Sequence, residues 1–400
     1  MEAKLYLGRV SKSIKLLIVQ PTPFCNINCD YCYLADRSNR SRMSIADAIS
    51  LVRHVVSSGL VGDSLSIVWH AGEPLTLPAS YYWDIFAGVA NAHPEIHFKH
   101  SFQTNGMLIN DEWCRLFRQW NVNVGVSIDG PAWIHDSHRK DRAGRGTHDR
   151  VMAGARVLRA NDIPFHVISV LSANSLDHAD EIFAFFMAMD VDRIGFNIEE
   201  LESAHTDSSI SSRHLSQVQT FFEVLANCRQ KEGKRIHIRE FDNALSAIAG
   251  CELNPENSGD LMNNQTEPLA ILTVAWDGSF TTFSPELIDA KSRDHASFIF
   301  GNILQGDLED LMENPKFVAI AAEVEAGRKL CSNSCQYFPL CGGGAPSNKY
   351  FENGRFDSTE TVYCQSVIQI PIRVVLGGLE RELGIVHGSP DPLCAVNGSL

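Results

Sequence analysis

With 48 acidic residues against 34 basic ones, this 400-residue chain has a formal net charge of −14. That argues against nucleic acid as the main partner, because phosphate binding needs a basic footprint. The length allows two or three domains, and no run of eighteen apolar residues marks a membrane span.

The chain opens on MEAKLYLGRVSKSIKLLIVQP, which has basic residues and a short apolar run but no small-residue cleavage site. KLLIVQ (15–20) therefore reads as a first strand and not as a signal peptide, and a cytoplasmic location is expected. Further strands are predicted at SLSIVW (64–69), HFKHSFQ (97–103), VNVGVSI (122–128), PFHVISV (164–170) and DRIGFNI (192–198), all rich in Val, Ile and Phe. Helical spacing fills the gaps at 44–59, 79–92, 111–120, 147–161 and 175–190. Ser44 with Asp47, and Ser175 with His178, stand at plausible helix starts. Strand and helix alternating in this way imply a parallel sheet of α/β type, with ligands at the C-terminal ends of the strands. Four suggestive loops fall at that mouth: FCNINCDYC, HAGEP, TNG and SIDGP.

After residue 201 the rhythm breaks. A polar stretch leads to a long helix (213–232), and CELNPENSGDLMNNQTE (251–267) looks like a domain boundary. LAILTVAWDGSFTTFS (269–284) reads as a hairpin turning at Asp277-Gly278. A helix is expected around 305–326, a final helix at 365–384, and a loose tail after it. The division is thus 1–205, 206–267, 268–364 and 365–400.

Eleven cysteines are many for a reducing compartment, where clustered thiols more often bind metal than pair. Cys25, Cys29 and Cys32 offer three thiolates, one short of the usual four for an iron–sulfur cube, so one iron would stay open. A zinc site borrowing a histidine, or three unrelated thiols, are the alternatives. Cys331, Cys335, Cys341 and Cys364 supply four, enough for a fully ligated [4Fe–4S] cube; structural zinc is the alternative. Cys251 reads as a buried thiol. His93, His97 and His100 have metal-like gaps but straddle a Pro turn and a strand, and are not read as ligands.

The CxxxCxxC loop after strand one, with Tyr31 before the last cysteine, resembles the radical S-adenosylmethionine (SAM) family, whose fold is a partial (β/α)6 TIM-like barrel. The likeness covers residues 15 to about 200. It implies SAM and a [4Fe–4S] cluster as cofactors, and an external one-electron reductant, flavodoxin- or ferredoxin-like. HAGEP, with Ala71, Gly72, Glu73 and Pro74, resembles the family's GGEP; small residues admit the methionine amino group and Glu73 accepts from it. Ser127 and Asp129 match ribose-contact positions. Thr104-Asn105-Gly106 is either a contact or a type I′ turn. Arg139, in HDSHRKDRAGRGTH (135–148), binds the SAM carboxylate or the substrate, or belongs to a solvated charge run.

CSNSCQYFPLC with Cys364 resembles the SPASM domain, a module that carries auxiliary clusters in peptide-modifying members of that family. Its fuller pattern has more cysteines. Here Phe283-Ser284-Pro285 and Ala345 stand in their places, so one auxiliary cluster is expected. The finer likeness, carried by QPTPFCNINCDYCYL, FSPEL and CGGGAPSNKYFENGRFDSTETVYC, is to cyclophane-forming maturases of the Grr/Osc type. It implies a ribosomally made precursor peptide as partner. In a three-residue motif of that peptide, an aromatic ring carbon is joined to a β-carbon. The proton released needs a base, and Glu286, on the loop without cysteines, is the candidate. The glycines Gly342, Gly343 and Gly344 fit N–H donation to sulfur. Thioether formation, formylglycine generation on a sulfatase, and a non-catalytic iron–sulfur or zinc protein are the alternatives.

Overall fold

Six parallel strands form at the predicted places in this computed structural model, which describes residues 13–233, 236–253, 262–292 and 294–385. β1 (Leu16–Val19), β2 (Ser64–Trp69), β3 (His97–Thr104), β4 (Asn123–Ser127), β5 (Phe165–Leu171) and β6 (Arg193–Ile198) lie side by side in chain order. The connecting helices are α1 (Ile45–Ser57), α2 (Ala79–Ala92), α3 (Asp111–Gln119), α4 (Ala132–His138), α5 (His148–Ala160) and α6 (Ala179–Ala188). The α/β architecture of a partial, parallel TIM-like barrel is therefore present.

Local chemistry explains the boundaries. Ser44 caps α1 by accepting from the Asp47 N–H at 3.0 Å, and Ala48, Leu51, Val52 and Val55 bury one face of that helix. Asn110 caps α3 through the N–H groups of Glu112 and Trp113. The expected start at Ser175 differs: residues 173–178 form a tight 3-10 turn capped by Ser172, and α6 begins only at Ala179. α4 was not predicted; Pro131 starts it, and it is only seven residues long. His100 is buried and stacked on Phe86 with centroids 3.7 Å apart, a core role that agrees with reading it as no ligand. Around it Trp69, Tyr82, Phe102, Trp113 and Phe117 form an aromatic core beneath β2 and β3.

Beyond β6, α7 (Leu215–Lys231) leads to β7 (His237–Ile238), a two-residue strand parallel to β6, and to α8 (Arg239–Leu253). The predicted hairpin forms as β8 (Ile271–Val274) and β9 (Ser279–Thr282). β8 pairs parallel with β1, from Leu16 opposite Ile271 to Val19 opposite Val274. The C-terminal part therefore continues the barrel's own sheet. Most of the Asn/Gly-rich boundary, the Cys251 side chain and the tail from 386 lie outside the described residues.

α9 runs from Pro315 to Ser334, ten residues later than expected at its start, because Asn314 and Pro315 form the true cap and 303–313 holds only short 3-10 turns. α10 (Pro346–Asn353) and α11 (Ile370–Leu383) complete the fold, α11 entered through a π turn at 365–369. The continuous helical stretch Val362–Leu383 contains an 18-residue window of mean hydropathy 1.4 and is long and apolar enough to span a membrane by length and composition. Gln and Arg interrupt its apolar run, so it holds no unbroken run of eighteen apolar residues. Here Ile370 and Val374 pack into the main core, and Ile372 packs with Ala244 and Tyr337.

Candidate functional site

A cavity of about 670 Å³ opens at the C-terminal ends of the strands. Cys29 and Cys32 lie at its wall on the β1 side, and Cys341 lies there from the C-terminal part. Tyr31, Ser127 and Arg139 line it as well, as does Glu286.

The first cysteine loop is held from all sides. Arg142 donates to the Cys25 carbonyl (2.8 Å), Arg37 donates to the Cys29 carbonyl (2.6 Å), and the Asn28 N–H reaches the Lys140 carbonyl (2.7 Å). The Glu73 N–H donates to the Phe24 carbonyl at 2.8 Å. Gly72 sits at φ +84°, where a Cβ would lie 2.2 Å from the Thr22 carbonyl oxygen. Only glycine permits that approach. HAGEP thus braces the cysteine loop, a role beyond admitting a ligand.

Glu73 was expected to accept from the methionine amino group. Its carboxylate accepts from the Leu75 N–H (3.0 Å), the Thr104 hydroxyl (2.7 Å) and the Asn105 N–H (2.8 Å). Burial pushes its pKa up to about 7, against the pull of these three donors. Glu73 therefore ties the β2 loop to the β3 loop. Asn105 in turn donates to Asn26 at 2.7 Å, beside Cys25. Ala71, Gly72, Glu73, Pro74, Thr104 and Asn105 stand behind the cavity wall and do not line it.

Asp129, matched by sequence to ribose contact, is 1% exposed and fully engaged. One oxygen accepts from Arg139 Nε (2.9 Å) and the Tyr31 hydroxyl (2.5 Å). The other accepts from Arg139 Nη2 (3.0 Å) and the Val170 N–H (2.9 Å). Burial works to raise its pKa, but Arg139 and His135 with the bonds from Arg139 and Tyr31 outweigh it, and the net direction is down. Arg139 is no solvated charge: it is 7% exposed, paired with Asp129 and set against the Tyr31 ring. Its Nε and Nη2 face Asp129, which fixes the guanidinium in the cavity wall.

Opposite them lies a group that sequence reasoning found only in part. Glu286 sits in a 3-10 turn started by Pro285, its carboxylate contacted by the Ser284 hydroxyl. Burial and then Glu200 push its pKa up to about 8. Glu200 is raised by burial despite the amide of Asn348 at 2.5 Å, and Glu202 is raised by burial and by Glu200 and Glu286. Glu200 and Glu202 follow the end of β6, the same mouth that marks the other loops, and that position was the available signal. His70, directly after β2, also lines the cavity. Its Nε2 lies 3.5 Å from the Tyr33 hydroxyl, and burial pulls its pKa down to about 4.

The four C-terminal cysteines converge on one small enclosed cavity, and Cys341 borders both cavities. Cys331 lies in the last turn of α9, Cys335 is its cap, and Cys341 ends the short helical turn Phe338–Cys341. Gly342, Gly343 and Gly344 follow with φ of 68°, 107° and 75°. This left-handed run turns the Gly343 and Gly344 N–H groups onto Cys341. The Thr361 N–H reaches Cys364 Sγ at 3.4 Å. Burial raises Cys335, Cys341 and Cys364, the last to about 11.

Iron–sulfur clusters suit both cysteine groups by their donor chemistry. Burial holds Cys29 at about 12 and pushes Cys25 higher, and each thiol is raised further by its neighbours in the same loop. Such thiols become thiolates only beside strong positive charge, which a metal cluster brings. Asn26 Nδ2, next to them, is buried without a partner among the described residues. Among the described residues no three Cys, His, Asp or Glu side chains are placed to hold a single metal ion. Three thiolates each on its own iron of a cube do not need that convergence.

Comparison with known proteins agrees with this geometry. Residues 19–186 match the family model of the radical SAM superfamily. The chain is 40% identical over 378 residues to an uncharacterised protein of Synechocystis sp., covering 92% of this chain and 93% of that one. It is 25% identical over 367 residues to a cysteine-type anaerobic sulfatase-maturating enzyme of Clostridium novyi, covering 89% and 93%. Among solved structures, anSMEcpe with bound AdoMet superposes with TM-score 0.71 at 23% identity, over 93% of this chain and all of that one. Streptococcus suis SuiB bound to precursor peptide SuiA superposes with TM-score 0.63 at 17% identity, over 90% and 78%. With the barrel, the cysteine loop at its mouth and these matches together, residues 19–186 form a radical SAM domain.

Proposed function

We propose that this chain is a peptide maturase that joins an aromatic ring carbon to a β-carbon within a three-residue motif of a ribosomally made precursor. One observation carries the reading. A single cavity runs from Cys29 and Cys32 to Cys341, with Glu200, Glu202 and Glu286 on its wall. Ring closure releases two hydrogens from the peptide. A site for it needs a radical source at one end, a one-electron acceptor at the other and a proton acceptor between them.

Cys25, Cys29 and Cys32 would hold the first [4Fe–4S] cluster, and Cys331, Cys335, Cys341 and Cys364 the second. Bound with SAM, and given an electron by a flavodoxin- or ferredoxin-like donor, the first site would supply a 5′-deoxyadenosyl radical able to take a hydrogen atom from an unactivated C–H bond. Arg139, fixed by Asp129, offers its remaining guanidinium nitrogen to the SAM carboxylate. Tyr31 and Ser127 shape the same wall. Glu286 takes the proton: its raised pKa suits a base working near neutral pH.

The Clostridium novyi relative favours a second reading, formylglycine formation on a sulfatase. Against it, the place of a further cysteine is filled by Phe283, fully buried and stacked on Phe317, followed by Ser284 and Pro285. Co-expression with the cognate peptide and mass spectrometry separates the two. Each modified motif loses two hydrogens in the proposed reaction, and fragment ions must place that loss across an aromatic residue and a β-carbon, because serine oxidised to formylglycine loses two hydrogens as well. Conversion of Cys or Ser to formylglycine, or loss of carbon dioxide, rejects it.

A further inference from the structure

Lys349 is 4% exposed, yet among the described residues no carboxylate lies within ion-pair distance of its ammonium. It projects from α10 toward the end of α9. There Nζ donates to the Gly327 carbonyl at 3.1 Å and to Cys331 Sγ at 3.3 Å. The packing that puts it there is specific. Gly327 lets α9 approach Phe356, whose carbonyl oxygen would lie 2.2 Å from an added Cβ, and Gly344 leaves ordinary contact distance to the Lys349 chain. The neighbouring buried cation, Arg328, has its own anion in Glu325 at 2.7 Å. Lys349 has none but the sulfur.

A buried ammonium needs a buried negative partner. The other three cysteines receive neutral donors: backbone N–H groups at Cys335 and Cys341, and the Thr361 N–H with the Gln369 amide at Cys364. Among the described residues, Cys331 alone of the four receives a charged one. Hydrogen bonds and charge near cluster sulfurs are the terms that set a cluster's potential. A cation against sulfur stabilises the reduced, more negative state.

We propose that Lys349 raises the reduction potential of the second cluster through Cys331, making that site a better one-electron acceptor than the four thiolates alone would. This rests on the reading that the four C-terminal cysteines hold a cluster. Lys349 acts here as a positioning residue for charge and touches no substrate.

The test uses the full chain with Cys25, Cys29 and Cys32 replaced by Ala, so that only the second site can carry iron. Potentials are followed by EPR during an anaerobic redox titration. Lys349→Met keeps the bulk and removes the donor; Lys349→Gln keeps a neutral donor; Lys349→Arg keeps the charge. The proposal expects Met to favour oxidation by about tenfold in the equilibrium constant, roughly 59 mV for one electron, with Gln intermediate and Arg near the parent. Iron and sulfide contents equal to the parent's show that the fold is kept. An unchanged potential in Lys349→Met with full iron overturns the proposal and leaves the cluster reading intact. Loss of iron in all three variants assigns Lys349 to holding the site together, and overturns the tuning role. A parent that binds zinc or no metal at these cysteines overturns both.

Discussion

Asp129→Asn is the sharpest test of how the barrel holds its cofactor wall. Four donors converge on the two carboxylate oxygens, and three come from the side chains of Arg139, buried with it, and Tyr31, half-buried beside it. An amide presents one oxygen and one NH2 group. Whichever way it turns, two of the four donors face another donor, and the Arg139 charge loses its counterion. Arg139 and Asp129 have side chains only 8% and 1% exposed, so solvent screens little of this. Removing one partner of a buried pair costs about 3–5 kcal/mol. The unsatisfied donors, at about 1–3 kcal/mol each, are part of that figure and not added to it. The urea midpoint of the cluster-free chain, followed by tryptophan fluorescence, measures the loss. SAM affinity by equilibrium dialysis falls with it, since Arg139 is released from its place in the wall. Replacing both partners with apolar residues, as Asp129→Leu with Arg139→Met, should cost less stability than Asp129→Asn alone. A loss under about 1 kcal/mol for Asp129→Asn, below the range for a broken buried pair, would refute the reasoning. So would penalties for the two sites that simply add.

Other outcomes follow from the same site. Glu286→Gln should lower cross-linked product by about 100-fold, the scale of a lost general base, while 5′-deoxyadenosine still forms; full cyclisation removes Glu286 from the mechanism. If Glu286 acts unprotonated, product formation in wild type should climb as pH rises through about 8, with Glu200 and Glu202 sharing the charge; a rate that falls over that range contradicts it. Gly72→Ala should lower iron content at the first site and destabilise the chain by about 1–3 kcal/mol, from the left-handed φ and the Thr22 contact. Wild-type iron content and stability would show that the loop yields.

The sequence made the barrel legible because its strands are short runs of β-branched and aromatic residues separated by amphipathic helices of ordinary length. It located both cysteine groups through spacing alone. What it missed falls into two kinds. Elements of two to seven residues, such as β7 and α4, carry too little periodicity to register. The second kind is how polar side chains divide their bonds. Resemblance matched Glu73 and Asp129 to ligand contacts, and it carried no sign that the fold also uses their oxygens to tie loops together. Glu200 and Glu202 went unremarked because an acidic pair after a strand resembles any surface turn until the C-terminal part closes over it. Lys349 carries no signal in the sequence at all, since its burial depends on α9 and α10 meeting.

The central claim is an iron–sulfur cube held by Cys25, Cys29 and Cys32 with one iron free for SAM. Anaerobic reconstitution of wild type and the triple Ala variant, with iron counted and 5′-deoxyadenosine measured under dithionite, addresses it directly. The account predicts about eight iron per wild-type chain, from two four-iron cubes, with one cube fewer in the variant and no nucleoside product there. Equal iron in both chains, or 5′-deoxyadenosine from the variant, would contradict it.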